Sequence, residues 1–481
     1  MAADELDELP RAAETAAEDG RARFDEEDRL NPEFVSSVTE ALEAGDAGRV
    51  YELVEPLHPA DIADLFELVG PEKRAALAEA ITDLMTGEVI AELNEHVRED
   101  MVEALPPEAV ADLAEQLETD DAVQLIEDLD HEDREAILAE LDPEDRAAIE
   151  SALAYPEETA GRLMQRELIA VPEHLSVGDL IDYLREHDEL TTEFWEVFIV
   201  DAHLHPVGTC QLSWILRTPR HIALTDVMKR DQTLIPVTMD QEEVALRFQR
   251  YALISAAVVD EAGRLVGQLT VDDIVHIIQE EAEEDTMLLA GAGDGDINEP
   301  IREAYTSRVR WLIANLLTAS VAAIVIANFE GTIAKMVILA ALMPIVAGIG
   351  GNAGTQTLAV TVRALATNQL TSSNTWRAVR RELGIAVLNG ATVALAIGIA
   401  VATIFAFWLG METSVKLGMV IAAAMMTNIV IAGLAGTFVP LTLEKFKVDP
   451  AIASSMFVTM TTDSMGFLAF LGLASLSGLV G

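Results

Sequence analysis

Five apolar segments in the second half of this chain, near residues 309–328, 335–361, 383–409, 416–441 and 451–479, are each long enough to cross a bilayer. In hydrocarbon every backbone polar group must be satisfied internally, so segments of this length and composition are expected to be helices. The charge distribution marks the same division. Residues 1–300 carry 75 Asp and Glu against 20 Lys and Arg, whereas residues 301–481 carry 7 against 11. A boundary of this kind near residue 300 is a change of solvent. With the N-terminus inside, Arg302, Arg308, Arg310, Arg363, Arg377, Arg380, Arg381, Lys445 and Lys447 fall on the cytoplasmic side and Lys335 and Lys416 outside. That satisfies the positive-inside rule and predicts a cytoplasmic first half and a C-terminus outside the cell membrane. Five is an odd number of spans. It excludes two inverted repeats of equal size within one chain, and a pore lined by two copies, a homodimer in the lipid bilayer, is the simpler architecture.

The net charge of −51 repels nucleic acid and anionic surfaces. It suits cations or a very salty cytoplasm, and with six Lys in the chain most of the carboxylates read as solvating surface. A single cysteine, Cys210, forms no intramolecular disulfide and fits a reducing compartment. The opening "MAADELDELP" has no apolar stretch, so no cleavable signal peptide is expected.

Two spans are unusual. The second contains "PIVAGIGGNAGTQ", residues 344–356, in which Pro344 and four glycines stand beside Asn352 and Gln356. Glycine-rich membrane helices often serve close packing. Proline and glycine beside two amides also predict local unwinding, which would free backbone carbonyls towards protein or a water-filled path. In the fifth span Asp449 and Pro450 read as an N-cap followed by proline in the first helical position. Ser455, Thr459, Thr462, Asp463 and Gly466 then recur at spacings of three and four, a small, polar stripe on one helix face. A carboxylate such as Asp463 at the centre of a span costs roughly 2.5–3.5 kcal/mol on insertion scales, and intramembrane acids mark ion pathways. The alternative is a buried carboxylate bonded to a neighbouring helix. Oxygen ligands alone suit a hard cation, magnesium, calcium or manganese, better than zinc or copper. Magnesium sheds water reluctantly, so one carboxylate per chain can hold it through its hydration shell.

The soluble half divides by pattern. Residues 1–32 read as a disordered acidic tail. Residues 33–158 repeat a short helical unit, "LHPADIADLFELVG", "LPPEAVADLAEQL", "LDPEDRAAIESAL", with Pro or acidic helix starts and Leu/Ala stripes. An all-α superhelical domain is expected. Residues 159–278 alternate short strands and helices and repeat themselves: "LIAVPEHLSVGDLIDYL" matches "LIPVTMDQEEVALRF" at an offset of 66, and "VFIVDAHLHPVGTCQLSWIL" matches "AAVVDEAGRLVGQLTVDDIV" at 59. Two copies of β-α-β-β-α look like a tandem CBS pair. In the second copy Thr270 and Asp273 resemble the ribose-contacting positions of nucleotide-binding CBS modules, whereas the first copy has Gln211 and Trp214 there. At most one site for ATP or another adenine nucleotide is expected. Residues 279–308 form an acidic linker helix leading to the five-span transmembrane domain, residues 309–481. There is no P-loop, nucleophile elbow or His/Cys metal constellation, and an enzyme is not expected. His203 and His205 read as turn residues.

This order of parts, with "GIGGNAGTQ" and "DPA…TTD…GF" in the spans, resembles the MgtE family of magnesium channels over about residues 35–481. The resemblance implies a homodimer with the pore on its two-fold axis and hydrated Mg2+ held by Asp463. It implies further oxygens from Gly348, Asn352 and Thr459, with Ser455 one turn earlier. Ser455-Met456 stands where relatives commonly have Gly-Pro or Asn-Pro, which bears on the bend of the fifth helix. The family's cytosolic domains bind Mg2+ ions that hold the closed dimer together. The matching positions are Asp273, Glu281, Glu284 and Asp285, with Asp120 and Asp121 in the helical domain. Ala252 and His276 replace acids, which implies fewer or weaker regulatory sites. Two other readings stay open: a CBS-regulated path for Co2+, Mn2+ or Ca2+, and a membrane-anchored nucleotide sensor whose spans only dimerise.

Overall fold

The computed structural model describes residues 23–479 except 104, 128, 188, 189, 192, 193, 292–296 and 372. Most of the expected acidic tail, residues 1–22, lies outside the described residues. The chain forms two compact units, Met1–Ile278 and Gln279–Gly481.

The first unit begins with short helices running from Pro32–Glu43 to Pro143–Leu153. Their starts follow from local chemistry. Proline opens Pro32–Glu43, Pro59–Leu68, Pro71–Ala80, Pro107–Ala114 and Pro143–Leu153, where its missing N–H costs no helical bond. Asn31 caps the first of these, accepting from the Glu33 amide, and His58 with Asp61 makes a capping box on the second. The Leu/Ala stripes meet in one core that includes Val38, Val54, Phe66, Leu77, Ile90 and Ile126. Phe24 bridges to Leu30 and both join this core, so packed chain begins ahead of residue 32, where acidity alone placed the end of the tail. The helix carrying the Asp120–Asp121 pair, Thr119–Glu127, is α1.

Two three-stranded sheets follow, β1 (Ala170–Pro172), β2 (Glu196–Val200) and β3 (Pro206–Gln211), then β4 (Leu234–Pro236), β5 (Ser255–Val259) and β6 (Leu265–Thr270). In each the first strand is parallel to the second and the second antiparallel to the third. Each also has an irregularity at the equivalent point, Ile199/Val200 and Val258/Val259. The internal repeat is therefore structural, but its register differs from the sequence match. Ala170 pairs with Phe198 and Leu234 with Ala257, which makes the first-strand offset 64 rather than 66. A two-residue slip leaves the same side chains on each sheet face, so alternation cannot detect it. His205 closes a turn with Asp201, its Nδ1 3.0 Å from Oδ2.

The last helix of the second repeat, α2 (Val271–Ala290), runs on through the acidic residues. The expected linker, 279–308, is thus not one element. Its first part continues the last helix of the second repeat and its last part already belongs to the first span.

Among the described residues the second unit has five helices long and apolar enough to cross a membrane: α3 (Ile301–Ala327), α4 (Ile338–Ala366), α5 (Thr375–Ile404), α6 (Met411–Lys445) and α7 (Pro450–Leu476). Helix α6 packs against α4, α5 and α7, and α4 packs against α7. Small residues permit the close approaches. A Cβ on Gly418 would lie 2.6 Å from the Gly398 carbonyl, and one on Gly436 2.6 Å from the Gly354 carbonyl. Helix α4 is continuous through Pro344 and all four glycines, contrary to the expected unwinding. Proline deletes a single helical N–H, and the glycine carbonyls stay within the helical ladder.

Candidate ion path and cation cluster

The four glycines of α4 fall into two pairs. Gly350 and Gly354 are buried, and a Cβ on either would collide with a neighbour: the Asn428 side chain for Gly350, and Val458 Cγ1 at 2.5 Å for Gly354. Gly348 and Gly351 have nothing within 4 Å of that position. One pair packs the bundle and the other keeps a face open. On the open face Gly348, Asn352, Thr355 and Gln356 are all exposed. In contact with lipid this face would be apolar, so its amides and hydroxyl argue for water.

Helix α7 brings its stripe to the same region. Asp449 caps it, accepting from the Ala451 amide at 2.7 Å. Thr459 is exposed, Ser455 and Asp463 are half-buried, and Thr462 is fully buried. Gly350 and Gly466 flank the same Asn428 side chain, while Gly354 meets Val458 and Thr462. These contacts fix an antiparallel register in which Asn352 is level with Asp463. Gly348 lies one turn away towards the start of α4. Thr459 and Ser455 lie one and two turns from Asp463 towards the start of α7, and the Thr459 hydroxyl donates to the Ser455 carbonyl at 2.9 Å. Helix α7 runs unbroken past Ser455-Met456.

The cytosolic candidates separate into two places. In the first unit α1 and the start of α2 assemble a carboxylate cluster. Burial, then Asp273, Asp121 and Glu118, push Asp120 well above the usual carboxylate range. Asp121 is raised to about 6, by burial first and Asp273 next. Asp273 is also raised, chiefly by burial. Glu118, missed in the sequence, is raised to about 7 by burial and by Glu167. Its adjacency to "TDD" was the available signal. Arg98 and then His276 offset part of the rise at Asp121, and an imidazole stands where an acid was expected. Ala252 closes the helix Gln241–Tyr251 in a left-handed conformation, φ 48°, and offers no side-chain oxygen. Among the described residues no three carboxylate, imidazole or thiolate groups converge closely enough to hold one metal ion directly. Hydrated Mg2+ between paired carboxylates remains compatible with this spacing.

Thr270 is buried, its hydroxyl donating to Asp273 at 2.5 Å. The Gln165 amide donates to both, at 3.2 Å each. Both groups expected to hold a ribose are thus engaged by Gln165.

Glu281, Glu284 and Asp285 follow on α2, with Glu281 and Asp285 half-buried and Glu284 exposed. Burial raises Asp285, with Asp449 as the next cause. Asp449, read from sequence only as a cap, therefore also faces the linker carboxylates. Beside them Leu288 and Leu289 pack with Leu358, Val362, Ala451 and Val458, at the ends of α4 and α7.

A five-span helical unit with a polar, open face around one carboxylate, joined to a CBS pair and an acidic helical domain, defines a membrane ion-transport protein with regulatory domains. Residues 343–473 match the divalent cation transporter family MgtE, residues 57–158 the MgtE intracellular N domain and residues 224–280 the CBS domain. The magnesium transporter MgtE of Enterococcus faecalis is 32% identical over 67% of this chain and 70% of its own length. That of Bacillus subtilis is 31% identical over 67% and 70%. The chain belongs to the MgtE family. Among solved structures, the cytosolic domain of the Mg2+ channel MgtE in complex with ATP is 28% identical, covering 50% of this chain and 99% of that one, with a TM-score of 0.46.

Proposed function

We propose that two copies of this chain form a magnesium channel, importing Mg2+ across the cell membrane and shut by Mg2+ bound to the cytosolic carboxylates. The observation that carries this is the polar, open face of α4 and α7, where Asn352 is level with Asp463 and lipid contact would require hydrocarbon. A single chain supplies half of a lumen, and a second copy related by a two-fold axis closes it. Asp463 holds the hydrated ion, with Asn352, Thr459 and the exposed backbone at Gly348 as oxygen partners and Ser455 at the cytoplasmic end. The C-terminus then lies outside.

Gating rests on repulsion. Asp120, Asp121, Glu118, Asp273 and Asp285 are raised by burial first and by neighbouring carboxylates next, so these acids are both desolvated and crowded. A cation relieves this crowding and favours the conformation in which they are crowded, here assigned to the closed channel. Glu281 and Glu284 extend the same series along α2. An adenine nucleotide in the second CBS repeat would have to displace Gln165 from Thr270 and Asp273, so nucleotide and cation meet at Asp273. Mg2+ uptake into liposomes, wild type against Asp463→Ala, tests the proposal. Uptake that depends on Asp463 supports it, and equal uptake by a folded Asp463→Ala protein overturns it.

A further inference from the structure

Asn428 stands in the middle of α6, a predominantly apolar span, and is fully buried. Burying an amide away from water is costly unless each of its polar atoms is bonded. Its Nδ2 donates to the Val346 carbonyl of α4 at 2.9 Å. Its Oδ1 has no hydrogen-bond partner among the described residues. A hydrocarbon side chain would fill the same space without that penalty, so the amide needs a reason beyond packing.

The surroundings supply one. The side chain lies between two glycines on two different helices, Gly350 of α4 and Gly466 of α7, and a Cβ on either would collide with it. Gly350 is two residues from both Gly348 and Asn352 and therefore lies on the opposite side of α4 from them. Gly466 is one turn beyond Asp463. One amide thus meets α4 from behind its open face and α7 one turn from Asp463, bonded to the first and wedged against the second.

We infer that Asn428 is a positioning residue, setting the distance between the Gly348–Asn352 segment and Asp463 without touching the ion. This rests on the reading of α4 and α7 as the walls of the path. The Val346 bond holds the height of α4, and the two glycine contacts hold the spacing to α7. An aliphatic side chain of similar size keeps the wedge but loses the bond.

The test compares Asn428→Leu and Asn428→Ala with wild type in proteoliposomes, with flux normalised to folded dimer and thermal stability measured in parallel. The expected result is a half-saturating Mg2+ concentration raised about tenfold and weakened preference for Mg2+ over Ca2+, with Asn428→Leu as thermostable as wild type. A merely structural residue would lower stability and maximal flux together and leave half-saturation and ion preference unchanged. That outcome, or wild-type behaviour in both variants, overturns the inference. A second measurement does not use flux. In a Cys210→Ser background, thiols at Asn352→Cys and Asp463→Cys are bridged by bifunctional reagents of graded length. The preferred length should change on adding Asn428→Leu, and an unchanged preference also overturns the inference. If the wild type carries no Mg2+, the path reading fails while this second measurement still decides the role of Asn428.

Discussion

Carboxylates in the two units solve opposite problems. Around Asp120 and Asp273 several acids crowd together, and burial first, then their mutual repulsion, keeps the group from full ionisation. Asp463 is the one acidic residue between Pro450 and Gly481, with amides, hydroxyls and glycines for company. Crowding makes a site whose occupancy changes its shape, since a cation removes repulsion that otherwise drives the parts asunder. Isolation makes a site that attracts an ion without holding many ligands in place, which suits passage. A sensor needs the first and a path needs the second.

The largest expected effect comes from removing the isolated charge. Asp463→Ala or Asp463→Asn should reduce Mg2+ flux to background while leaving the fold intact or stabilised, because the charge is costly in the membrane. Flux with size-exclusion and thermal melts checks both halves of that statement. The glycine pairs sharpen the contrast between path and packing. Gly348→Val or Gly351→Val should block flux in a folded protein, since nothing lies near either Cβ position. Gly354→Val should instead destabilise the bundle, by about 1–3 kcal/mol or more, as overpacking does. Permeation at the wild-type rate with valine at 348 or 351 would return that face to ordinary helix packing.

Gating comes next in size. Neutralising Glu281, Glu284 and Asp285 to Gln, Gln and Asn should raise the closing Mg2+ concentration about tenfold, within the usual range of allosteric coupling. It should also remove Mg2+-dependent protection of residues 279–300 from proteolysis. The measurement belongs at low and high salt, because screening shortens the repulsion to about 8–10 Å at ordinary ionic strength. Unchanged closing at both would move the sensor away from this segment.

The smallest effect is on pH. Glu118 and Asp121 are raised to about 7 and about 6 in the folded protein. A raised carboxylate favours folding while protonated, and its contribution is lost as pH rises through the folded value. Without Mg2+ the first unit should therefore gain stability as pH falls from about 8 to about 5. Mg2+ should substitute for the protons, stabilising most at the alkaline end and releasing protons on binding. Calorimetry in two buffers of different ionisation heat reads that release, and a pH-independent Mg2+ effect would detach the cluster from the sensor.

Much of this arrangement was legible. Charge and hydropathy alone separated the two solvents, and the spacing of Thr459, Asp463 and Gly466 placed them on one side of α7. What the sequence concealed has physical reasons. A run of glycines does not reveal which of them face a neighbour, since that depends on the azimuth of α4 against α6 and α7. The two-residue slip in the CBS repeat is invisible to alternation. Glu118 became part of the cluster through burial, which its place beside "TDD" hints at but does not establish. Asn428 resembled any polar interruption of a span until its two flanking glycines, more than a hundred residues apart in the chain, were seen to share it.

Asp449 gives the membrane unit a further property. One of its oxygens accepts from the first turn of α7 at Ala451, and the same side chain faces Asp285 across the inner edge of the bundle. A carboxylate has few lone pairs, and those that turn towards a cation are no longer free to tether a helix end. On the proposed gating, an ion drawn to Asp285 would compete for the anchor of the helix that carries Asp463 fourteen residues further on. The fraying or tightening of a single helical turn would then be the mechanical output of ion concentration, with the foot of α7 as the place where binding is turned into strain.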